Sequence, residues 1–117
     1  KVCKYDRVVA CRNAGHGNYG HVSVATKAPR ETLLDCSEDE AAALMRAARR
    51  IAIAVQAAFA PEGITVLQAN KAAGFQTVPH LHLHVLPRSA GDGVELTWPR
   101  KEPGLERLRE LAAKLRL

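Results

Sequence analysis

Seven residues in the second half of the chain alternate almost strictly between histidine and apolar side chains. Positions 80–86 read HLHLHVL. Successive side chains of a strand point to opposite faces of a sheet, so the histidines share one face while Leu81, Leu83 and Val85 share the other. The pattern predicts a strand with one face in a core and the other available for chemistry.

The three histidines of this predicted strand need an explanation other than packing. A single histidine on a strand is most often an ordinary surface residue. Three histidines on one strand face do not stabilise the fold, because a positive charge on one imidazole disfavours a charge on the next. His80, His82 and His84 are therefore candidates for ligand binding, metal binding or proton transfer.

A zinc site is one alternative, since two histidines spaced His-x-His can supply ligands. Neighbouring positions on one strand face are about 6.6 Å apart, and the outer two are about 13 Å apart. Zinc requires each ligand nitrogen at about 2.0–2.1 Å, so His80 and His84 are poorly placed to share an ion. A two-histidine site would need His16 or His21 from a glycine-rich loop. The three cysteines form no Cys-x-x-Cys pair, and we predict no metal and no cofactor.

Phosphoryl chemistry fits the histidines better than metal binding does. One imidazole can attack phosphorus, and a neighbour can assist the leaving group. The preceding segment, AAGFQTV at 72–78, offers Gln76, Thr77 and backbone N–H groups as the donors that a phosphate requires.

The rest of the chain predicts a few regular elements around this strand. The sequence SEDE at 37–40 has capping-box spacing and predicts the start of a helix, which Pro61 and Gly63 end. A second helix is predicted over 103–117, after Pro103. Strands are predicted over 5–11, 20–26 and 63–68, the last returning antiparallel into the histidine strand. The core side of the long helix is expected to contain Leu44, Ala48, Ile51, Val55 and Phe59.

Composition limits the class of protein. The 117 residues fit one domain, and the net charge of +5 suits a phosphate-bearing partner without singling out nucleic acid. The first ten residues contain four charges where a signal peptide would be apolar, and no apolar run approaches the length of a membrane span. We therefore expect a cytoplasmic protein without a membrane partner and do not favour nucleic acid as a partner.

The sequence HLHLHVLPR, with QTVP before it and GHVSVATKAPRETLLD ahead of the first helix, resembles the histidine triad (HIT) superfamily of nucleotide hydrolases and transferases. Its signature, His-φ-His-φ-His-φ-φ with φ apolar, is matched at every position, and the resemblance covers about residues 5–88. It implies an α+β fold with an antiparallel sheet of about five strands, one long helix and a C-terminal helix. It further implies a single HIT domain over 1–117, usually paired in a homodimer whose sheets join.

The resemblance also implies a role for each histidine. His82 would be the nucleophile that forms a covalent nucleotidyl-histidine. His84 would contact the phosphate and the leaving group, while His80 would orient its neighbours. His21 falls where the family has its fourth histidine.

Several polar residues match substrate-binding positions of the family. Asn13 falls where an Asp or Asn holds the ribose hydroxyls. Gln76 and Thr77 occupy phosphate-contacting positions. Either Asn70 or Gln68 corresponds to a further polar position upstream, and the register between them is open.

The resemblance favours the hydrolase branch, because the transferase branch has Gln at the position of His84. The flanking QTV and PR look most like the fragile-histidine-triad hydrolases and related bacterial proteins. The chain departs from many relatives in having no Cys-x-x-Cys stretch and in having TKAPRE at 26–31 where Pro-Lys-x-His is usual. The implied activity is hydrolysis of a nucleoside monophosphate from a phosphate-linked leaving group. The alternatives are a nucleotide-binding regulatory or scaffold protein with little turnover, and a metal-binding regulator.

Overall fold

The computed structural model describes residues 3–12 and 20–115. In this part of the chain, five antiparallel strands form one sheet in the order β1-β2-β3-β5-β4. The strands are β1 (Cys3–Lys4), β2 (Val8–Arg12), β3 (Val22–Thr26), β4 (Gly63–Gln68) and β5 (His82–Arg88). The helices are α1 (Glu38–Phe59), between β3 and β4, and α2 (Leu105–Ala113), after the sheet. The predicted α+β fold with about five antiparallel strands, a long helix and a C-terminal helix is confirmed.

Helix α1 begins at the predicted capping box. The Ser37 hydroxyl accepts the Glu40 N–H at 3.0 Å, and the Glu40 carboxylate accepts the Ser37 N–H at 2.9 Å. Three acidic residues in the first turn also interact favourably with the helix dipole. The helix ends at Ala60, which adopts the left-handed conformation directly before Pro61.

The core lies between α1 and one face of the sheet. Leu81 and Val85 are fully buried and Leu83 is nearly so, which confirms the apolar face predicted from the alternation. Helix α1 contributes four of the five residues predicted for its core side, namely Leu44, Ala48, Ile51 and Val55.

Phe59 was expected in the core, and that expectation is wrong, because 55% of it is exposed. It occupies the last turn of α1, where the helix extends past the core, and its ring lies against Gly20. A Cβ built on Gly20 would meet the Phe59 ring at 2.7 Å, and the φ of Gly20 is +86°. Glycine at position 20 therefore permits both the turn into β3 and the close approach of the ring.

Strand β5 begins two residues later than predicted. The His80 N–H donates to the Val78 carbonyl at 2.8 Å, so the chain still turns at Pro79 and His80. The strand also continues past the predicted stretch 80–86, through Pro87 to Arg88. Pairing with β3 stops at Val85, so only β4 pairs with β5 beside Pro87, and the missing N–H is tolerated there.

Helix α2 packs little against the rest of the fold. Its leucines have the predicted helical spacing, yet none of its residues is buried. The exposed fractions of Leu105, Leu108 and Leu111 are 64%, 50% and 39%. Among the described residues, no helix has the length and apolarity needed to cross a membrane.

Candidate active site

The pairing of β5 with β3 places the histidines over small side chains. His84 pairs with Ser23, and His82 pairs with Ala25. These residues alternate with the buried Leu83 and Val85, so they lie on the face of the sheet opposite α1. The imidazoles of His82 and His84 therefore project into space that no helix of the described chain covers.

A backbone contact fixes the tautomer of His82. Its Nδ1 lies 2.6 Å from the carbonyl oxygen of His80. Because a carbonyl oxygen only accepts hydrogen bonds, Nδ1 must carry the proton. In the neutral ring the lone pair is then on Nε2, the nitrogen farther from the backbone. His82 is thus arranged to use Nε2 as a nucleophile.

His80 is itself held by β3. Its Nε2–H donates to the Thr26 carbonyl at 2.7 Å, with the Thr26 hydroxyl oxygen 3.3 Å away. Thr26 is buried, and its hydroxyl donates to the Ala28 carbonyl at 2.9 Å. The contact at the end of β3 therefore fixes the ring of His80, whose carbonyl in turn fixes His82.

His21 and His84 are joined by a ring-to-ring hydrogen bond. His21 Nε2 and His84 Nδ1 are 2.9 Å apart, although the two residues are 63 positions apart in the sequence. The ring of His82 meets that of His84 edge-on, with the centroids 4.6 Å apart. His21 is therefore part of the cluster, as its sequence position predicts.

The surroundings of His84 oppose a positive charge. Burial, followed by the nearby His82 and His21 rings, lowers the pKa of His84 to about 4. His84 is therefore neutral at pH 7 and contributes an N–H group or a lone pair to the site, not a standing positive charge.

The side chain of Asn70 is engaged in local contacts. Its Oδ1 accepts the Leu33 N–H at 2.8 Å and a Gln68 Nε2–H at 2.7 Å, while its Nδ2 donates to Gln68 Oε1 at 2.8 Å. Asn70 and Gln68, the two alternatives for one position of the family, therefore form a pair that ties the end of β4 to the segment before α1.

Gln76 makes a similar tie within the loop that leads to the histidines. Its Oε1 accepts the Lys71 N–H and its Nε2 donates to the Glu31 carbonyl, both at 2.6 Å. Thr77 next to it is exposed. Asn13 and His16 lie outside the described residues.

The structure thus brings four histidines together. It also shows one residue that helps to position them and that the sequence analysis did not identify. This residue is Thr26, the last residue of the alternating stretch VSVAT. It is buried and places a hydroxyl on the apolar face of β3. A polar residue at a predicted core position was the available clue. Within residues 3–12 and 20–115, no group of three or more His, Cys, Asp or Glu residues is arranged to hold a metal ion.

Comparison with known proteins defines the class. A family model described as the HIT domain matches residues 1–91. An uncharacterized HIT-like protein from Saccharolobus solfataricus is 38% identical over 104 residues, which cover 86% of this chain and 74% of that protein. The chain belongs to the HIT family.

Solved structures agree with this assignment. A HIT family protein from Bacillus anthracis superposes with a TM-score of 0.90 at 28% identity, over 97% of this chain and 82% of that one. A relative matched over a shorter segment, the bis(5'-adenosyl)-triphosphatase of Dictyostelium discoideum, is 39% identical over 74 residues, covering 62% of this chain and 49% of the relative.

Proposed function

We propose that this protein is a nucleotide hydrolase that releases a nucleoside monophosphate from a phosphate-linked leaving group. The observation that carries the proposal is the 2.6 Å contact between His82 Nδ1 and the His80 carbonyl. That contact directs the lone pair of the neutral ring to Nε2, on the face of the sheet opposite the helix. The name of the Dictyostelium relative supports phosphoanhydride hydrolysis as the reaction class.

The proposed reaction has two steps. In the first, His82 Nε2 forms a bond to the phosphorus of the nucleoside monophosphate, and the bond from phosphorus to the leaving group breaks. In the second, water forms a new P–O bond and gives up a proton to solvent, and the N–P bond breaks to regenerate His82. His84, as a neutral ring, donates a hydrogen bond to the phosphate or to the leaving group.

The protonation of His84 bears on the class of substrate. An amine leaving group needs a proton as it departs, whereas a phosphate leaving group can depart as an anion. His84 has a pKa lowered to about 4 in the ligand-free site, and a bound phosphate anion beside it would raise that pKa. Both a dinucleoside polyphosphate and a nucleoside phosphoramidate are therefore candidate substrates, and the name of the Dictyostelium relative favours the polyphosphate.

The substrate-binding residues belong to the same proposal. Thr77, exposed beside the histidine strand, is a donor for a substrate phosphate. Gln76 and Asn70 shape the site through the backbone that they hold, and Asn13 contacts the ribose. A cytoplasmic location is the expectation that accompanies this substrate class.

Trapping the covalent intermediate tests the proposal. Diadenosine triphosphate with a radiolabelled phosphate next to adenosine is mixed with excess protein and quenched in base, in which phosphohistidine survives. Labelled wild-type protein and unlabelled His82→Asn are the expected results. Slow turnover of bound nucleotide without any labelled protein would instead support the regulatory or scaffold alternative, in which the site binds a nucleotide and does little chemistry.

We also propose that the protein forms a homodimer through β4. This strand is the edge of the sheet beside β5, and its free side is open to pairing. A mainly apolar groove between β4 and α1 adjoins that edge, and its lining residues are Ala42, Met45, Arg46, Ala48, Arg49, Ala52 and Val66. Met45 is 56% exposed and Val66 is 43% exposed. A second copy that added its own β4 would extend the sheet and cover this groove.

A further inference from the structure

A cavity on the helix side of the sheet contains positive charge that the histidine site does not use. Its volume is about 190 Å³, and its walls come from the turn between β1 and β2 and from α1. Three arginines line it: Arg7, Arg46 and Arg50. The histidines lie on the opposite face of the sheet, so this cavity is separate from the candidate active site.

The sequence of α1 explains why the cavity exists. Arg46 and Arg50 are four residues apart and therefore lie on the same side of the helix. Ala43 and Ala47 line the same cavity, and their short side chains leave open the space between the helix and the turn. Like charges at this spacing destabilise a helix unless a counter-charge is near.

Two contacts orient the arginines at the cavity. The guanidinium of Arg50 lies over the ring of Tyr5, with Cζ 5.7 Å from the ring centroid. This cation–π contact attracts the guanidinium to the ring without using a hydrogen-bond acceptor. Arg7 makes a long ion pair, with a nitrogen 3.9 Å from the largely exposed carboxylate of Asp39.

The counter-charge within the cavity is incomplete. Asp6 is the acidic residue among its lining residues, and Asp39 lies 3.9 Å from Arg7, so three arginines are matched by two acidic residues. Across residues 3–12 and 20–115, no ion pair joins Arg46 or Arg50 to an acidic side chain. Lys27 adds a further cation nearby, because its Nζ donates to the Asp6 carbonyl at 2.8 Å.

We propose that this cavity is a second binding site, which takes a small free phosphate anion such as inorganic phosphate or pyrophosphate. Planar guanidinium groups match phosphate oxygens with paired hydrogen bonds. The volume is below the roughly 300–1,000 Å³ typical of sites for larger organic ligands, which favours a small anion. The site is independent of the proposed hydrolysis, and either can fail without the other.

Calorimetric titration with pyrophosphate, at an ionic strength held constant with sodium chloride, tests the site. Saturable binding to the wild type is expected. The double variant Arg46→Gln/Arg50→Gln should bind at least about tenfold more weakly, because it loses two charged phosphate partners. Arg49→Gln is the matched control, since Arg49 is exposed on the same helix and does not line the cavity. Arg49 lines the groove beside β4, as Arg46 does, so this variant also controls for an effect of charge removal on dimerisation. It should change the affinity less than about twofold.

Two further arms separate this site from the histidines and from nucleotide binding. His82→Asn should bind pyrophosphate as the wild type does, and adenosine diphosphate should gain no affinity from Arg46 and Arg50. If the double variant does not fold, Arg46→Gln and Arg50→Gln singly should each weaken pyrophosphate binding at least about threefold. The proposal is overturned by the absence of saturable binding at millimolar pyrophosphate. An effect of Arg49→Gln equal to that of the double variant, or loss of binding in His82→Asn, also overturns it.

Discussion

The proton on His82 is positioned by backbone atoms and not by another side chain. Replacement of His82 by Asn removes the nucleophilic Nε2 while it keeps a polar side chain on the same face of β5. We expect kcat to fall by about 10³-fold or more, because the lone pair that the His80 carbonyl directs to Nε2 is lost with the ring. Steady-state kinetics, with circular dichroism to confirm the fold, measures this. A variant that kept activity within about tenfold of the wild type would contradict the role of His82.

The lowered pKa of His84 links the site to stability. The folded protein binds a proton at His84 only near pH 4, whereas an unfolded chain binds it at about pH 6.5. The unfolded state therefore holds more protons between these values, and this contribution to stability is complete above about pH 6.5 and is lost as pH falls towards 4. Urea unfolding at pH 5 and pH 7 should show a smaller pH dependence for His84→Gln than for the wild type. An equal dependence in the two proteins would show that His84 is not the group responsible.

How far the site could be predicted differs from residue to residue. The shared face of the three histidines follows from the period of a strand, which is a local rule. His80 and Thr26 are 54 positions apart in the sequence, and no rule of local spacing predicts a contact between residues so far apart. For Asn70 and Gln76 the sequence is ambiguous, because an amide side chain can hydrogen-bond a substrate phosphate or a backbone group equally well. Only the fold shows that both side chains already hydrogen-bond backbone groups.

At the scale of the element, the two faces of β5 differ in their tolerance of a charge. Leu83 is 7% exposed and packs in the core beneath α1. We expect Leu83→Asp to unfold the protein, because a buried, unpaired carboxylate costs several kcal/mol. Ser23→Asp is the comparison, since Ser23 is on the opposite face and only partly buried, and it should stay folded. Thermal denaturation of both variants measures this, and similar melting temperatures would mean that the faces are assigned wrongly.

The loop before β5 depends on the amide of Gln76. Gln76→Glu keeps an oxygen for the Lys71 N–H but loses the donor to the Glu31 carbonyl. We expect faster amide hydrogen exchange through this loop, because two acceptors then face each other. Thr77→Val at the next, exposed position is the control and should leave the exchange rates unchanged. Equal protection in Gln76→Glu and the wild type would show that the tie does not hold the loop.

Element boundaries were predicted well where the cause is local. The capping box at Ser37 and the stop at Pro61 depend on neighbouring residues, and α1 has these ends. Phe59 was misassigned because helical spacing shows which side a residue faces but not where the sheet beneath it ends. The late start of β5 has a different cause, since a local turn at Pro79 interrupts the alternating pattern and delays pairing with β3.

At the scale of the whole molecule, the open edge of β4 should determine the oligomeric state. Met45→Glu puts a charge in the apolar groove beside this edge, and we expect it to shift the protein from dimer to monomer. Leu34→Glu is the matched control, because Leu34 is 77% exposed and does not line the groove. Sedimentation velocity at several concentrations measures the shift. A wild type that sediments as a monomer, or equal dissociation in both variants, would contradict a dimer built on this groove.

The sheet order has a consequence for how the protein folds. Hairpin β4–β5 forms between neighbouring segments, but β3 reaches β5 only after the chain has closed a loop that contains α1 and β4. The entropy of that closure makes this pairing a late and slow step. The hydrogen bond of His21 with His84 spans the same closure. During refolding, the proposed hydrolase activity should therefore return after the helical circular dichroism signal, so that this activity reports on the completion of the sheet.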